Sequence, residues 1–192
     1  MRIDAASLQQ QLRVIKVDAE KLLSDLSDAQ FNWRPEPHVW SIAQCVDHLN
    51  IFGRQYFPIL TEKIAQAEKR NVLRGGSYDL GFLGKLFLRL TEPPVRSRFK
   101  APNRFLPAPE KQLYSVGEEF QSLQDKAIAL IQQAEKLHWR KIKVASPESK
   151  LLKLNLASIL AIVVAHERRH LWQAWQIRNH CNFPARDEDK KN

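Results

Sequence analysis

Two histidines, at positions 166 and 170, are the strongest chemical signal in the chain, within the segment His166-Glu167-Arg168-Arg169-His170. On an α-helix, side chains four residues apart lie on one face about one turn apart, so both imidazoles could bind the same metal ion. The same letters match HExxH, the helix signature of zinc metallopeptidases. The residues around this pair must therefore decide between a peptidase, another metal enzyme and an ordinary helix.

Four segments show the apolar spacing of amphipathic helices. The ranges 1–34, 110–146 and 148–183 contain no proline, and each carries apolar residues at alternating steps of three and four. A further helix is predicted to begin at Ser41, because Ser41 and Gln44 match the capping box. Hairpin signals and alternating polar and apolar runs are scarce, so a sheet is not expected. The pattern predicts an all-α fold, a four-helix bundle.

A third histidine lies on a separate helical stripe. His48 falls on the apolar stripe of the second predicted helix, and His166 and His170 fall on that of the last. Three imidazoles buried without a ligand would be costly, whereas three neutral histidines around a divalent ion leave open coordination positions, as in catalytic sites. A bound water or thiol there would lose its proton more easily. Chance spacing and ordinary core packing remain the alternative.

The peptidase hypothesis lacks its third ligand. The extended zinc signature needs Gly and His after the second histidine, where this chain has Gln173 and Gln176. The later glutamate, Glu188, lies in a charged tail. Glu167 is expected to be a solvated or salt-bridging carboxylate, and its sharper alternative is a catalytic general base acting through a metal-bound water. Gln173 and Tyr56 are candidates for substrate binding, because both continue the stripes that carry the histidines. The alternatives are a structural polar contact for Gln173 and a core tyrosine with its hydroxyl at the rim for Tyr56.

The predicted link between the second and third helices is long and basic. Between Arg70 and Lys111, nine basic residues face three acidic ones, so an anionic partner is expected. Residues 70–109 include a short helix candidate from 79 to 90 and a proline-rich stretch, and they are interpreted as a connection or lid. The bundle is assigned to residues 1–183 as a single domain, and the charged tail 184–192 is expected to be disordered.

Composition limits the other function classes. The chain has 192 residues, a formal net charge of +9 and two cysteines, which favours one domain in a reducing compartment over a disulfide framework. No secretion signal or membrane-spanning run is evident, so a cytoplasmic location is expected. Cys45, one turn before His48, is interpreted as a small core residue, with a soft fourth metal ligand as the alternative.

Two motifs give a family resemblance. Phe31-Asn32-Trp33-Arg34-Pro35, followed by Trp40-Ser41-Ile42-Ala43-Gln44-Cys45-Val46-Asp47-His48-Leu49, resembles the entry to helix 2 in the DinB/YfiT-like superfamily. The segment from His166 to Gln173 is similar to the last-helix motif of that family. The resemblance implies a four-helix bundle holding a divalent metal ion (Zn, Ni, Fe or Mn) on His48, His166 and His170. It also implies a homodimer, and relatives that include bacillithiol-type or glutathione-type thiol S-transferases and a mycothiol-dependent isomerase.

Two functional hypotheses follow. The first is a metal-dependent enzyme that activates a thiol or water at the three-histidine site, a thiol S-transferase or a hydrolase, with a small and possibly anionic substrate and a low-molecular-weight thiol as a candidate cofactor. The second is a non-catalytic interaction module that binds nucleic acid or anionic lipid through residues 70–109. Against the second, the basic residues are interleaved with prolines and apolar residues, so neither nucleic acid nor a membrane is the expected partner.

Overall fold

The computed structural model describes residues 2–94, 100–147 and 151–185. Helices account for most of this described part, and four of them are long. The helices are α1 (Ala5–Leu23), α2 (Asp28–Asn32), α3 (Ile42–Lys69), α4 (Gly81–Thr91), α5 (Leu113–Ala134) and α6 (Leu156–Arg178). The strands are β1 (Arg2–Ile3), β2 (Tyr78–Asp79), β3 (Lys143–Ala145) and β4 (Lys153–Asn155). No described helix is long and apolar enough to cross a membrane.

The long helices form the predicted four-helix bundle. The helices α1 and α3 each pack against both α5 and α6, so α5 and α6 lie diagonally opposite each other. The apolar stripes of all four helices meet in one buried core. The all-α bundle prediction is confirmed, and its long, partly helical connection between the second and third long helices is present as α4 and its flanking segments.

Side-chain caps fix where the site-bearing helices begin. At the start of α3, the Ser41 hydroxyl accepts from the Gln44 backbone N–H and the Gln44 side chain accepts from the Ser41 N–H, both at 3.1 Å. The Asn155 side chain accepts from the Ser158 N–H at the start of α6. A cap that selects the first helical residue also sets the direction of each later side chain, including His48.

The expectation that the chain forms no sheet is wrong. Within the described residues, β1 pairs with β2 and β3 pairs with β4, both antiparallel. These strands are only two or three residues long, which is too short to give an alternating pattern in the sequence. The last helix begins at Leu156, directly after β4.

The connection packs along the bundle. Gly84 of α4 lies so close to α6 that a Cβ atom there would come within 2.3 Å of the Ser158 hydroxyl. At the other end of α4, Arg168 pairs with Glu92, and Arg169 donates to the Leu90 carbonyl at 3.0 Å. Thus α4 runs parallel to α6, with both arginines of the histidine motif holding its end. Part of the predicted basic segment (95–99) and the tail from residue 186 onward lie outside the described residues.

Candidate metal centre

Two helices bring three histidines together. His48 comes from α3, and His166 and His170 come from α6. The Nε2 atom of His166 lies 3.1 Å from the Nε2 atom of His48 and 3.1 Å from that of His170. One nitrogen of each ring lies within 4.8 Å of those of the other two. The structure therefore assembles the three residues that the sequence singled out.

The nitrogen positions fit a shared metal ion better than hydrogen bonds among the rings. A neutral imidazole nitrogen carries either one proton or one lone pair, so the Nε2 atom of His166 can make only one good hydrogen bond in its ring plane. It nevertheless has two nitrogen neighbours at 3.1 Å. Two nitrogens that each lie about 2.0–2.1 Å from one ion are separated by roughly 3.0–3.4 Å at common coordination angles. The group can hold a divalent metal ion.

Burial keeps these rings in the protonation state that a metal requires. Desolvation lowers the pKa of His48, and it lowers the pKa values of His166 and His170 well below the usual value for histidine. The neighbouring positive charges act in the same direction. All three rings are therefore neutral at pH 7, with a lone pair free for coordination.

A backbone carbonyl selects the tautomer of His48. Its Nδ1 atom lies 2.7 Å from the carbonyl oxygen of Phe105, which belongs to a short 3₁₀ turn at Asn103–Phe105. Nδ1 must donate in this contact, which leaves the lone pair on Nε2, the atom that faces the other histidines. Sequence analysis did not find this contact, because any residue can supply a carbonyl oxygen. The long connection therefore contributes directly to the site.

Aromatic side chains surround the three rings. The Trp40 ring stacks on His170 at 5.7 Å between centroids and lies 5.0 Å from the ring of His48. Phe52 lies 4.5 Å from the ring of His166. These side chains displace water and restrict ring rotation. Trp40 belongs to the family motif, whereas Phe52, one turn after His48 on α3, has no sequence signal that separates it from an ordinary core residue.

Comparison with known proteins agrees with this geometry. A family model described as the DinB superfamily matches residues 11–174, which includes the three histidines and all four long helices in whole or in part. The chain belongs to the DinB superfamily. No curated protein and no solved structure matches the chain significantly. The family and the bundle that the sequence motifs implied are thus confirmed.

In this DinB protein the Glu167 side chain is buried, whereas the sequence analysis expected a solvated or salt-bridging carboxylate. The residue is only 5% exposed, and its Oε1 atom accepts from the Gln124 side chain on α5 at 3.0 Å. Desolvation raises the pKa of Glu167 to about 8, so the carboxyl group is largely protonated at pH 7. The expectation was wrong because the side chain points across the core to the diagonal helix. Its role as a general base stays a prediction.

Of the candidate substrate-binding residues, Gln173 neighbours His170, whereas Tyr56 packs on Phe52 and Phe105, which contact the histidines. Gln173 is half-buried and lies close enough to His170 for its side chain to raise the pKa of that ring. Among the described residues, the Nδ1 atom of His170 has no hydrogen-bond partner. Tyr56 stacks on Phe52 at 4.3 Å, and its hydroxyl lies 3.5 Å from that of Ser146. Contact of either residue with a substrate stays a prediction.

Cys45 and the remaining histidines lie outside the cluster in the described part of the chain. Burial raises the pKa of Cys45 to about 12, so its sulfur remains a thiol, as expected for a core residue. His38 is exposed, whereas His138 and His180 are half-buried.

Proposed function

We propose that this DinB superfamily protein is a divalent-metal-dependent enzyme that activates a thiol or a water for transfer to, or hydrolysis of, a small substrate. The observation that carries the proposal is the close approach of the Nε2 atoms of three neutral imidazole rings. Three protein ligands leave coordination positions for a substrate, which separates catalytic sites from closed structural ones.

The protein residues have separable roles. His48, His166 and His170 would hold the ion, which would supply Lewis-acid chemistry by lowering the pKa of a bound thiol or water. The Phe105 carbonyl orients His48, and the aromatic rings limit water access. Arg169 adds positive charge, which lowers the pKa values of all three histidines and favours an anionic thiol or acid in the site.

Metal content gives the first test. Protein purified without a chelator or a metal-affinity tag should contain about one divalent ion per chain by elemental analysis. His48→Ala and His166→Ala should contain almost none. His38→Ala is the matched control, because His38 is exposed and pairs with Glu36 away from the cluster. Metal-free wild type, or equal metal content in all variants, would overturn the metal site.

Turnover gives the second test. Metal-loaded protein should accelerate either the substitution of chloride in chlorodinitrobenzene by the thiol of glutathione or cysteine, which releases chloride and a proton, or the hydrolysis of nitrophenyl esters. His166→Ala should lose that acceleration by at least about 100-fold, because it removes a metal ligand. Fully loaded wild type that accelerates none of these reactions would limit the site to metal binding and contradict the enzymatic proposal.

A further inference from the structure

The outer face of α4 exposes apolar side chains to solvent. Its exposed apolar members are Phe82, Leu83, Leu86 and Leu90. At about 100° per residue they fall within one arc of roughly 100°, whereas the buried Gly84 and Leu88 lie on the opposite side. Phe82 is 81% exposed. Exposed apolar side chains that cluster on one face, unlike apolar residues scattered singly over a surface, are typical of interaction sites. We call these four residues the α4 face.

Basic residues lie along one edge of the α4 face. Lys85 and Arg89 are both exposed and lie next to Phe82 around the helix. The Lys85 ammonium group lies 2.8 Å from the Asp79 carboxylate, which connects this edge of α4 to β2. The helix therefore presents apolar side chains flanked by cations.

A cleft rich in arginine adjoins the same edge. It has a volume of about 330 Å³ and is lined by Arg2, Arg74, Ser77, Tyr78, Asp79 and Arg140. The guanidinium group of Arg74 lies over the Tyr78 ring, and that of Arg2 donates to the Ser77 carbonyl. Three arginines and one carboxylate, that of Asp79, line the cleft, and Asp79 also pairs with Lys85. The cleft is thus suited to an anionic group, and we call it the arginine cleft.

We propose that the α4 face and the arginine cleft together dock the protein on an anionic lipid surface. The apolar side chains would enter the boundary between headgroups and acyl chains, and the arginines would bind lipid phosphate groups, as in interfacial amphipathic helices. A sugar–phosphate backbone offers no apolar surface on which the exposed Phe and three exposed Leu could be buried, which argues against nucleic acid as the partner. This inference goes beyond the proposed reaction and does not depend on it.

The size of the surface argues against a second copy of the chain as the occupant. The helix has 11 residues, so it is only about 16 Å long. Its four exposed apolar side chains are too few to supply the about 800 Å² that a stable dimer needs from each partner.

Vesicle sedimentation tests the proposal with the full metal-loaded chain. The protein should sediment with vesicles of phosphatidylcholine and phosphatidylglycerol at low salt, and binding should fall as NaCl rises from about 0.05 to 0.5 M because salt screens the phosphates. Vesicles of phosphatidylcholine alone should bind at least about tenfold less.

Matched variants separate the two parts of the surface. Phe82→Ser should weaken binding to anionic vesicles at least about tenfold, because it removes the most exposed apolar side chain of the α4 face. The control is Tyr114→Ser on α5, which changes an aromatic residue of similar exposure, 79%, on a different helix. Arg74→Glu/Arg140→Glu should abolish binding, whereas Arg13→Glu/Lys126→Glu, with the same net charge, should retain it. Circular dichroism and metal content confirm that each variant is folded.

Three results would overturn the proposal. One is the absence of sedimentation with anionic vesicles at low salt. Another is equal binding by wild type and Phe82→Ser. The third combines two measurements: wild type is a dimer and Phe82→Ser a monomer in analytical ultracentrifugation, and neither protein sediments with vesicles. That result would assign the α4 face to self-association.

Discussion

Two buried acceptor atoms at the centre of the bundle lack partners unless a proton is present. They are the Oε2 atom of Glu167 and the Oε1 atom of Gln124, whose side chains already share one hydrogen bond. A protonated carboxyl group can donate through Oε2, so a proton on Glu167 reduces the cost of burying these groups. The pKa of Glu167, raised to about 8, also favours the protonated carboxyl group at neutral pH.

Glu167 should therefore make the stability of the metal-free protein depend on pH. The folded-state pKa is about 8 and the usual value is 4.5, so this contribution is complete below pH 4.5 and is lost as the pH rises through 8. Between pH 6 and 9 the free energy of unfolding should fall by about 3 kcal/mol from this group alone. Urea denaturation of wild type and Glu167→Gln at both pH values measures the difference.

The matched control for that experiment is Glu118→Gln on α5, where the carboxylate is exposed. The stability of this variant should still fall as the pH rises through 8, because Glu167 is unchanged. Equal pH dependence in wild type and Glu167→Gln would show that Glu167 ionises normally in the folded protein.

Trp40 should contribute to metal affinity without touching the ion. Its ring covers His170 and His48, and the shell around a metal site controls how easily water competes for the ligands. Trp40→Ala should weaken metal binding about tenfold, whereas Trp40→Phe should keep most of the affinity. Competition with a chromophoric chelator measures both. Wild-type affinity in Trp40→Ala would restrict the ring to a packing role.

At the scale of elements, the connection is held to α6 by the motif arginines. The Arg168 guanidinium pairs with the Glu92 carboxylate, and Arg169 binds the last turn of α4. Glu92→Gln should cost about 1 kcal/mol or less of global stability, because the pair is partly exposed. It should nevertheless raise amide hydrogen exchange in the last turn of α4 several-fold, because that end is held locally.

The control for this exchange experiment is Glu62→Gln, which removes an exposed pair with Lys63 on α3. Its α4 peptides should exchange at wild-type rates. Unchanged exchange at residues 88–92 in Glu92→Gln would mean that contacts such as that of Gly84 with Ser158 hold α4 alone.

Sequence patterns predicted the elements that carry their own local signals. The capping box at Ser41 and the spacing of His48, His166 and His170 follow helical geometry, so the α3 and α6 contributions to the site were foreseen. The carbonyl of Phe105 was not, because its position depends on how a long connection folds back. The burial of Glu167 was missed for a similar reason, since its partner Gln124 lies on another helix.

At the scale of the molecule, the metal should add to stability because it joins two helices. His48 and His166 are 118 residues apart in the chain, and an unfolded chain offers no preformed site. Metal at about 1,000 times its Kd would stabilise the fold by about 4 kcal/mol. For a chain of 192 residues this corresponds to a rise in Tm of about 10 °C.

Calorimetry with and without chelator measures this effect. Wild type should lose about 10 °C on chelation. His166→Ala should melt at one temperature under both conditions, because it has no site to empty. A wild-type Tm that does not change when elemental analysis shows the metal has been removed would contradict the prediction.

The separation of the ligands along the chain also sets when a cell can load the site. His48 is translated well before α6, and a lone imidazole on α3 binds a divalent ion weakly. Residues 156–178 must leave the ribosome and pack against α3 before the three nitrogens meet. Metal acquisition at this site would therefore be a late event in biosynthesis, and a nascent chain stalled before α6 should carry no ion.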